Sequence, residues 1–215
     1  MRMEFERLVE IVGNQPVFET SLLLAGEVDP ANIQRQLSRW TRAARLHQLR
    51  RGLYALAPPF QKVEPHPFLV ANRMVEPSYV SLQSALAHYG LIPEYVPITT
   101  SVTTRRPNGW DTPLGSYAFR HVKTELFRDY RLLEVAKEQR AFVASSEKAL
   151  LDLIYLEPGA DSHEYLKELR LQNLEELNLD RLQHQAELTG SPKLQRAAAR
   201  VAAMARSEMT EYETL

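Results

Sequence analysis

After Asp29 the next seven charged side chains are all cations: Arg35, Arg39, Arg42, Arg45, Arg50, Arg51 and Lys62. No acid occurs until Glu64. Arg35, Arg39 and Arg42 fall at i, i+4 and i+7, a spacing that places them on one face of a helix. Arg50 and Arg51 stand before Gly52, where a chain can reverse. A cationic helix face followed by a cationic hairpin tip is the pattern of a module that grips nucleic-acid phosphates. The competing reading is a basic face that is merely solvated. Asn32, Gln34, Gln36 and Ser38 lie beside the arginines. Asn and Gln can make paired hydrogen bonds to adenine, and Arg can do so to guanine. The remaining arginines, Arg45 with Arg50 and Arg51, would hold phosphates and set register without reading sequence. The glutamines could equally be neutral helix surface.

Other chemistry finds less support. Cysteine is absent, which excludes disulfides, a thiol nucleophile and thiolate metal ligands. Histidines 47, 66, 88, 121, 163 and 184 are scattered singly, none at zinc-protease spacing. No glycine-rich phosphate loop occurs. Leu114-Gly115-Ser116 has the Gly-Ser opening of nucleotidyltransferases, but the two carboxylates such enzymes need on the next strand are missing. Glu147 and Asp152 could share a helix, yet five-residue spacing does not converge them. The expectation is a non-enzyme that takes no metal and no cofactor.

The elements that must position the arginines follow from periodicity. Phe5, Leu8, Val9 and Val12 predict a helix stopped at Gly13-Asn14. Residues 17–25 predict a second, ended by Gly26. Asp29 as N-cap and Pro30 at the first turn open a third, running to residue 43 or 44. Ile33, Leu37 and Trp40 line its buried face. Strand, turn and strand follow around Arg50-Arg51-Gly52, closed by Pro58-Pro59. Three helices and a hairpin make a winged helix-turn-helix, whose third helix enters the major groove. The proline-dense stretch to Pro67 joins the modules. Beyond it, helices are expected over 68–75 and 78–89, strands over 96–104, 114–122, 131–136 and 141–144, and a turn at Pro107-Asn108-Gly109. Ser145 or Ser146 caps a helix to about residue 156, and helices follow over 162–171, 178–189 and 192–209. Leu194, Ala198, Val201 and Ala205 form one stripe of the last, for internal packing or a partner.

The fold class expected is therefore α+β. Residues 1–60 form a winged helix-turn-helix. Residues 61–215 form an α+β domain with a small antiparallel sheet and a helical C-terminal tail. Net charge is −1 over 215 residues, but residues 1–63 sum to +3 and 64–215 to −4, so the two parts suit different partners. No apolar run approaches the roughly 20 residues that span a bilayer. MRMEFERLVEIV does not read as a signal peptide. A cytoplasmic location is expected, without membrane partners.

Four segments in order carry a wider resemblance: LSRWTRAARLHQLRRGLYALAP (37–58), EPSYVSLQSALAHYGLIPE (76–94), TSVTTRRP (100–107) and SSEKALLDLIYL (145–156). In these the chain resembles the AbiEi family of antitoxins, winged-helix regulators of type IV toxin–antitoxin systems. The tail beyond residue 156 matches less distinctly. The resemblance implies an N-terminal domain that binds inverted repeats in its own promoter as a repressor. It also implies a C-terminal domain that counters a nucleotidyltransferase-like toxin without requiring a stable complex with it, and neither cofactor nor metal. Thr100, Thr103, Arg105 and Arg106 are the positions to test first as an effector or partner surface. A homodimer on double-stranded DNA would set two third helices about 34–36 Å apart. The alternative is a winged helix recruited to bind protein, since fold does not fix function.

Overall fold

A computed structural model describes residues 3–24 and 29–213, with side chains as far as Ser207. The first helix, α1 (Phe5–Val12), buries Phe5, Leu8 and Val12, and the Gly13 N–H closes it on the Val9 carbonyl at 3.0 Å. The expected second helix is mostly something else. Phe18 and Glu19 form a short strand, β1, and only Thr20–Leu23 turns, as one 3₁₀ turn. The strand wins because it gains long-range partners: Phe18 pairs with Tyr54, and the Thr20 N–H donates to the Gly52 carbonyl at 2.9 Å. A helix this short has too few internal bonds to compete. Gly26 lies outside the described residues.

The third predicted helix is α2 (Pro30–Arg42). The Asp29 carboxylate accepts from the Ala31 N–H at 3.0 Å, and Ile33, Leu37 and Trp40 are buried, as the spacing required. The hairpin β2 (Leu46–Arg50) and β3 (Leu53–Leu56) turns at Arg51-Gly52, where Gly52 takes φ of +84°. The three strands form an antiparallel sheet in the order β1-β3-β2.

The rest of the chain is built on a second sheet. In order come α3 (Pro67–Met74), β4 (Ser78–Val80), α4 (Leu82–His88), β5 (Ile98–Thr103), β6 (Asn108–Thr112), β7 (Gly115–His121), β8 (Tyr130–Ala136) and β9 (Gln139–Ala144). Helices α5 (Ser146–Leu156), α6 (His163–Glu168), α7 (Leu179–Leu188) and α8 (Pro192–Glu213) follow. The strand order is β6-β7-β5-β4-β9-β8. This corrects the small antiparallel sheet expected: there are six strands, and β5–β7 and β4–β9 are parallel pairs. The protein is mixed α/β.

Two local expectations also give way. The predicted helix over 78–89 opens as β4, because Tyr79 is drawn to a buried carboxylate described below. Asn108 and Gly109 are the start of β6, not a turn. Gly109 lies so close to β7 that an added Cβ would stand 3.3 Å from the Tyr117 carbonyl oxygen. The other helices and strands expected beyond residue 67 are present with small shifts of boundary. Ser145 caps α5, its hydroxyl accepting from the Lys148 N–H at 3.3 Å. On α8 the stripe of Leu194, Ala198, Val201 and Ala205 is buried within the chain.

β3 joins the two parts. Tyr54 and Leu56 point into a small core with Phe5, Leu8, Ile33, Leu37 and Trp40. Leu53 and Ala55, on the opposite face, enter the large core with Val17 and Leu49. The joining segment is held too: buried Gln139 accepts from the His66 N–H at 2.8 Å and donates to the Glu64 carbonyl at 2.9 Å. Truncating Leu53 to Ala should cost about 2–5 kcal/mol. Tryptophan fluorescence and far-UV circular dichroism should then lose stability together in urea, because Leu53 fills the large core from the same strand that sends Tyr54 and Leu56 into the small one. Separate transitions would contradict a shared seam.

Candidate nucleic-acid interface

α2 is bound to the small core through Ile33, Leu37 and Trp40, so its opposite face is solvent. That face carries Gln34, Arg35, Ser38, Arg39 and Arg42, all exposed. Arg35 approaches Asp29 only loosely, at 3.9 Å and with both side chains mostly in water. Among the described residues Arg39, Arg42 and Arg51 form no ion pair. The exposed Arg45 lays its guanidinium over Phe5 at 5.0 Å and Phe60 at 6.0 Å from the ring centroids. That stacking holds the charge at the surface just beyond the helix. Five arginines thus remain available to an anion.

Two of the predicted contact residues face elsewhere. Gln36 is buried, and its amide donates to the Asn32 side-chain oxygen at 2.9 Å, so it orders Asn32 and does not face a groove. Arg50 turns back from the hairpin tip. Its guanidinium meets Glu19 at 3.3 Å, the Arg73 carbonyl at 3.1 Å and the Arg51 carbonyl at 2.9 Å. It fastens β2 to β1 and α3, which leaves Arg51 as the cation of the tip. The sequence shows the charge at position 50 but not the distant acid and carbonyl that capture it.

The four positions singled out in the second part divide in the same way. Thr103 is buried, donating to the Pro77 carbonyl at 2.7 Å and accepting from the Arg105 N–H. Thr100 donates to the Ser81 carbonyl at 2.8 Å and accepts from the Ser84 N–H. Both threonines fix β5 against β4 and α4; Thr103 is fully buried and Thr100 is half-buried with its hydroxyl committed. Arg105 and Arg106 are exposed between β5 and β6.

The second part also contains a buried charged cluster. On α5, Lys148 and Asp152 sit at i and i+4 and form a buried ion pair. Asp152 also accepts from the Ser81 hydroxyl at 2.8 Å and the Tyr79 hydroxyl at 3.0 Å. Burial pushes the Asp152 carboxyl up, and the Lys148 ammonium and the two hydroxyls pull it back. Glu147, five residues before Asp152 and not expected to converge with it, accepts instead from the Asn178 N–H at 3.1 Å. The space beside the pair, about 10 Å³, admits a water molecule and no substrate. Its role is to hold α5 on β4.

His66 and His88 both abut Phe68, with ring centroids 5.0 and 5.5 Å away. Burial holds both below the usual histidine range, and for His66 the His88 ring adds to it. Among the described residues no three His, Cys, Asp or Glu side chains gather as a metal site, and no helix is long and apolar enough to cross a membrane. The chain matches no family model, and no curated protein matches it.

Replacing Lys148 by Met should cost about 3–5 kcal/mol near pH 8, because a buried carboxylate loses its partner. Without the ammonium the folded Asp152 carboxyl rises further above its unfolded value of about 3.9. The folded state then holds the proton more tightly than the unfolded one. The contribution of Asp152 to stability is therefore fully present below its unfolded value and is lost as pH climbs toward the raised folded one. Urea titrations at pH 5 and pH 8 should show the smaller deficit, relative to wild type, at pH 5.

Proposed function

We propose that the protein is a sequence-specific DNA-binding repressor in which residues 1–60 act as a winged helix-turn-helix and α2 is the recognition helix. The observation that carries this reading is the exposed row Arg35, Arg39 and Arg42 on α2, continued by Arg45 and Arg51 in a stretch without acids. The hairpin behind the helix and the strand order β1-β3-β2 support it. A protein helix fits the major groove, where Arg35, Gln34 and Ser38 would meet base edges. Arg39, Arg42, Arg45 and Arg51 would bind phosphates.

The AbiEi resemblance extends the proposal. The operator would be an inverted repeat in the protein's own promoter, bound by a homodimer. The second part would counter a nucleotidyltransferase-like toxin, with the exposed Arg105 and Arg106 as the residues to test there.

Fluorescence anisotropy against the protein's own upstream DNA, at several salt concentrations and with scrambled competitor, tests the reading. Four phosphate contacts in each of two subunits predict a slope of about −7 in log K against log salt. Arg51→Ala should reduce that slope by about one per subunit on every sequence alike. Arg35→Ala should instead cost about 1–3 kcal/mol at the operator and relax its sequence preference. A triple Arg39→Ala, Arg42→Ala, Arg51→Ala variant that binds as tightly as wild type would overturn the assignment. Binding abolished by scrambled competitor would reduce it to a nonspecific basic surface.

A further inference from the structure

Away from the arginine row, a groove of about 620 Å³ opens between α3 and the β8–β9 end of the large sheet. That volume lies within the range of about 300–1,000 Å³ typical of small-molecule sites. Phe127, Tyr130 and Phe142 line it, Tyr130 standing 5.2 Å from Phe127 and 5.7 Å from Phe142 between ring centroids. Phe142 and Leu132 remain 43% and 49% exposed there, large for apolar side chains on the lining of a groove. Arg73 and Arg140 add two cations, against one acid, Glu76. Arg73 reaches Glu76 only at 3.9 Å, both side chains being largely in water, and Arg140 forms no ion pair among the described residues.

The second observation is Ser78. It is only 5% exposed, it lines the groove, and among the described residues its hydroxyl has no hydrogen-bond partner. Leaving a buried hydroxyl unpaired costs about 1–3 kcal/mol, so a partner from outside the chain is favoured there. The neighbouring Asn72 is already committed, its amide bracketing the Phe142 backbone at 2.5 and 3.4 Å.

We propose that this groove binds a small planar aromatic molecule bearing one anionic group. The ring lies against Tyr130, Phe127 and Phe142. The anion is held by Arg73 and Arg140, whose guanidinium forks suit carboxylate and phosphate alike. The Ser78 hydroxyl takes a polar substituent of the ligand. The site is independent of the DNA reading and stands or falls without it.

The test is isothermal titration calorimetry on the full chain with two anionic aromatic probes, 4-hydroxybenzoate and adenosine monophosphate. A carboxylate ligand and a phosphate ligand are thereby distinguished by which probe binds. The controls are 4-hydroxybenzamide, which has the ring without the charge, and cyclohexanecarboxylate, which has the charge without the flat ring. At least one anionic probe should bind one-to-one with Kd below about 1 mM, and each control at least about tenfold more weakly than 4-hydroxybenzoate if that is the ligand bound. Arg140→Gln should weaken the binding probe about tenfold, the scale of a charge-assisted hydrogen bond, and Ser78→Ala about fivefold. Arg140 is exposed, so its variant keeps the fold; Ser78→Ala removes an unpaired group and should melt no lower than wild type. Failure of both anionic probes to bind below 1 mM would overturn the proposal. So would a neutral amide as tight as its acid, or a double Ser78→Ala, Arg140→Gln variant that binds as wild type.

Discussion

A four-residue strand buried on both faces sets the geometry of this molecule. β3 takes backbone hydrogen bonds from β1 on one side and β2 on the other, and no side chain in it reaches water. Strand alternation sends Tyr54 and Leu56 one way and Leu53 and Ala55 the other. The small core that carries α2 and the large core under the second sheet are thus fastened to the same four residues. Where β3 lies, β2 must follow, and the hairpin tip comes to rest against α3. That contact decides the fate of the tip arginines. Arg50 finds Glu19 and the Arg73 carbonyl within reach and turns inward, while the Arg51 side chain has no ion pair among the described residues and stays in water. The electrostatic surface is a by-product of how the hairpin is packed.

Polar side chains finish what the strands and helices leave open. Gln139 supplies an acceptor and a donor to the backbone of the joining segment, which has no strand to pair with. Thr100 and Thr103 do the same for turns beside β5, and Asn72 for the backbone of Phe142. Each is a single side chain standing in for a stretch of secondary structure, which keeps buried backbone groups satisfied. Lys148 and Asp152 are a costlier version of the same device. Two charges are taken out of water, and the hydroxyls of Tyr79 and Ser81 complete the shell that makes this tolerable.

How much could be read from the residues alone depends on how far each determinant reaches. α2 was legible from Asp29-Pro30 and the spacing of Ile33, Leu37 and Trp40, all of it local. The burial of Gln36 was legible by the same arithmetic, since it stands three residues from Ile33 and four from Trp40, although its polar side chain suits a groove as well as a core edge. The Lys148–Asp152 pair also lay open at four-residue spacing. β1 was not legible, because two residues carry no periodicity and exist as a strand only through Tyr54 and Leu53. The inward turn of Arg50 depends on partners 31 and 23 residues away. The parallel pairings of the large sheet depend on chain order in space, which alternation does not encode. The row of arginines was visible at once; which of them are tied down was not.

The shared strand also bears on how the chain can be divided. A fragment cut near residue 60 would keep α2 and its arginines but bare Val17, Leu49, Leu53 and Ala55 together, an apolar strip along a two-faced sheet. Such strips recruit other copies of themselves. The isolated basic module would therefore be aggregation-prone and difficult to purify, although its own small core is complete. The second sheet and its helices serve the first sixty residues as a permanent cover, much as one protomer covers another in an obligate dimer.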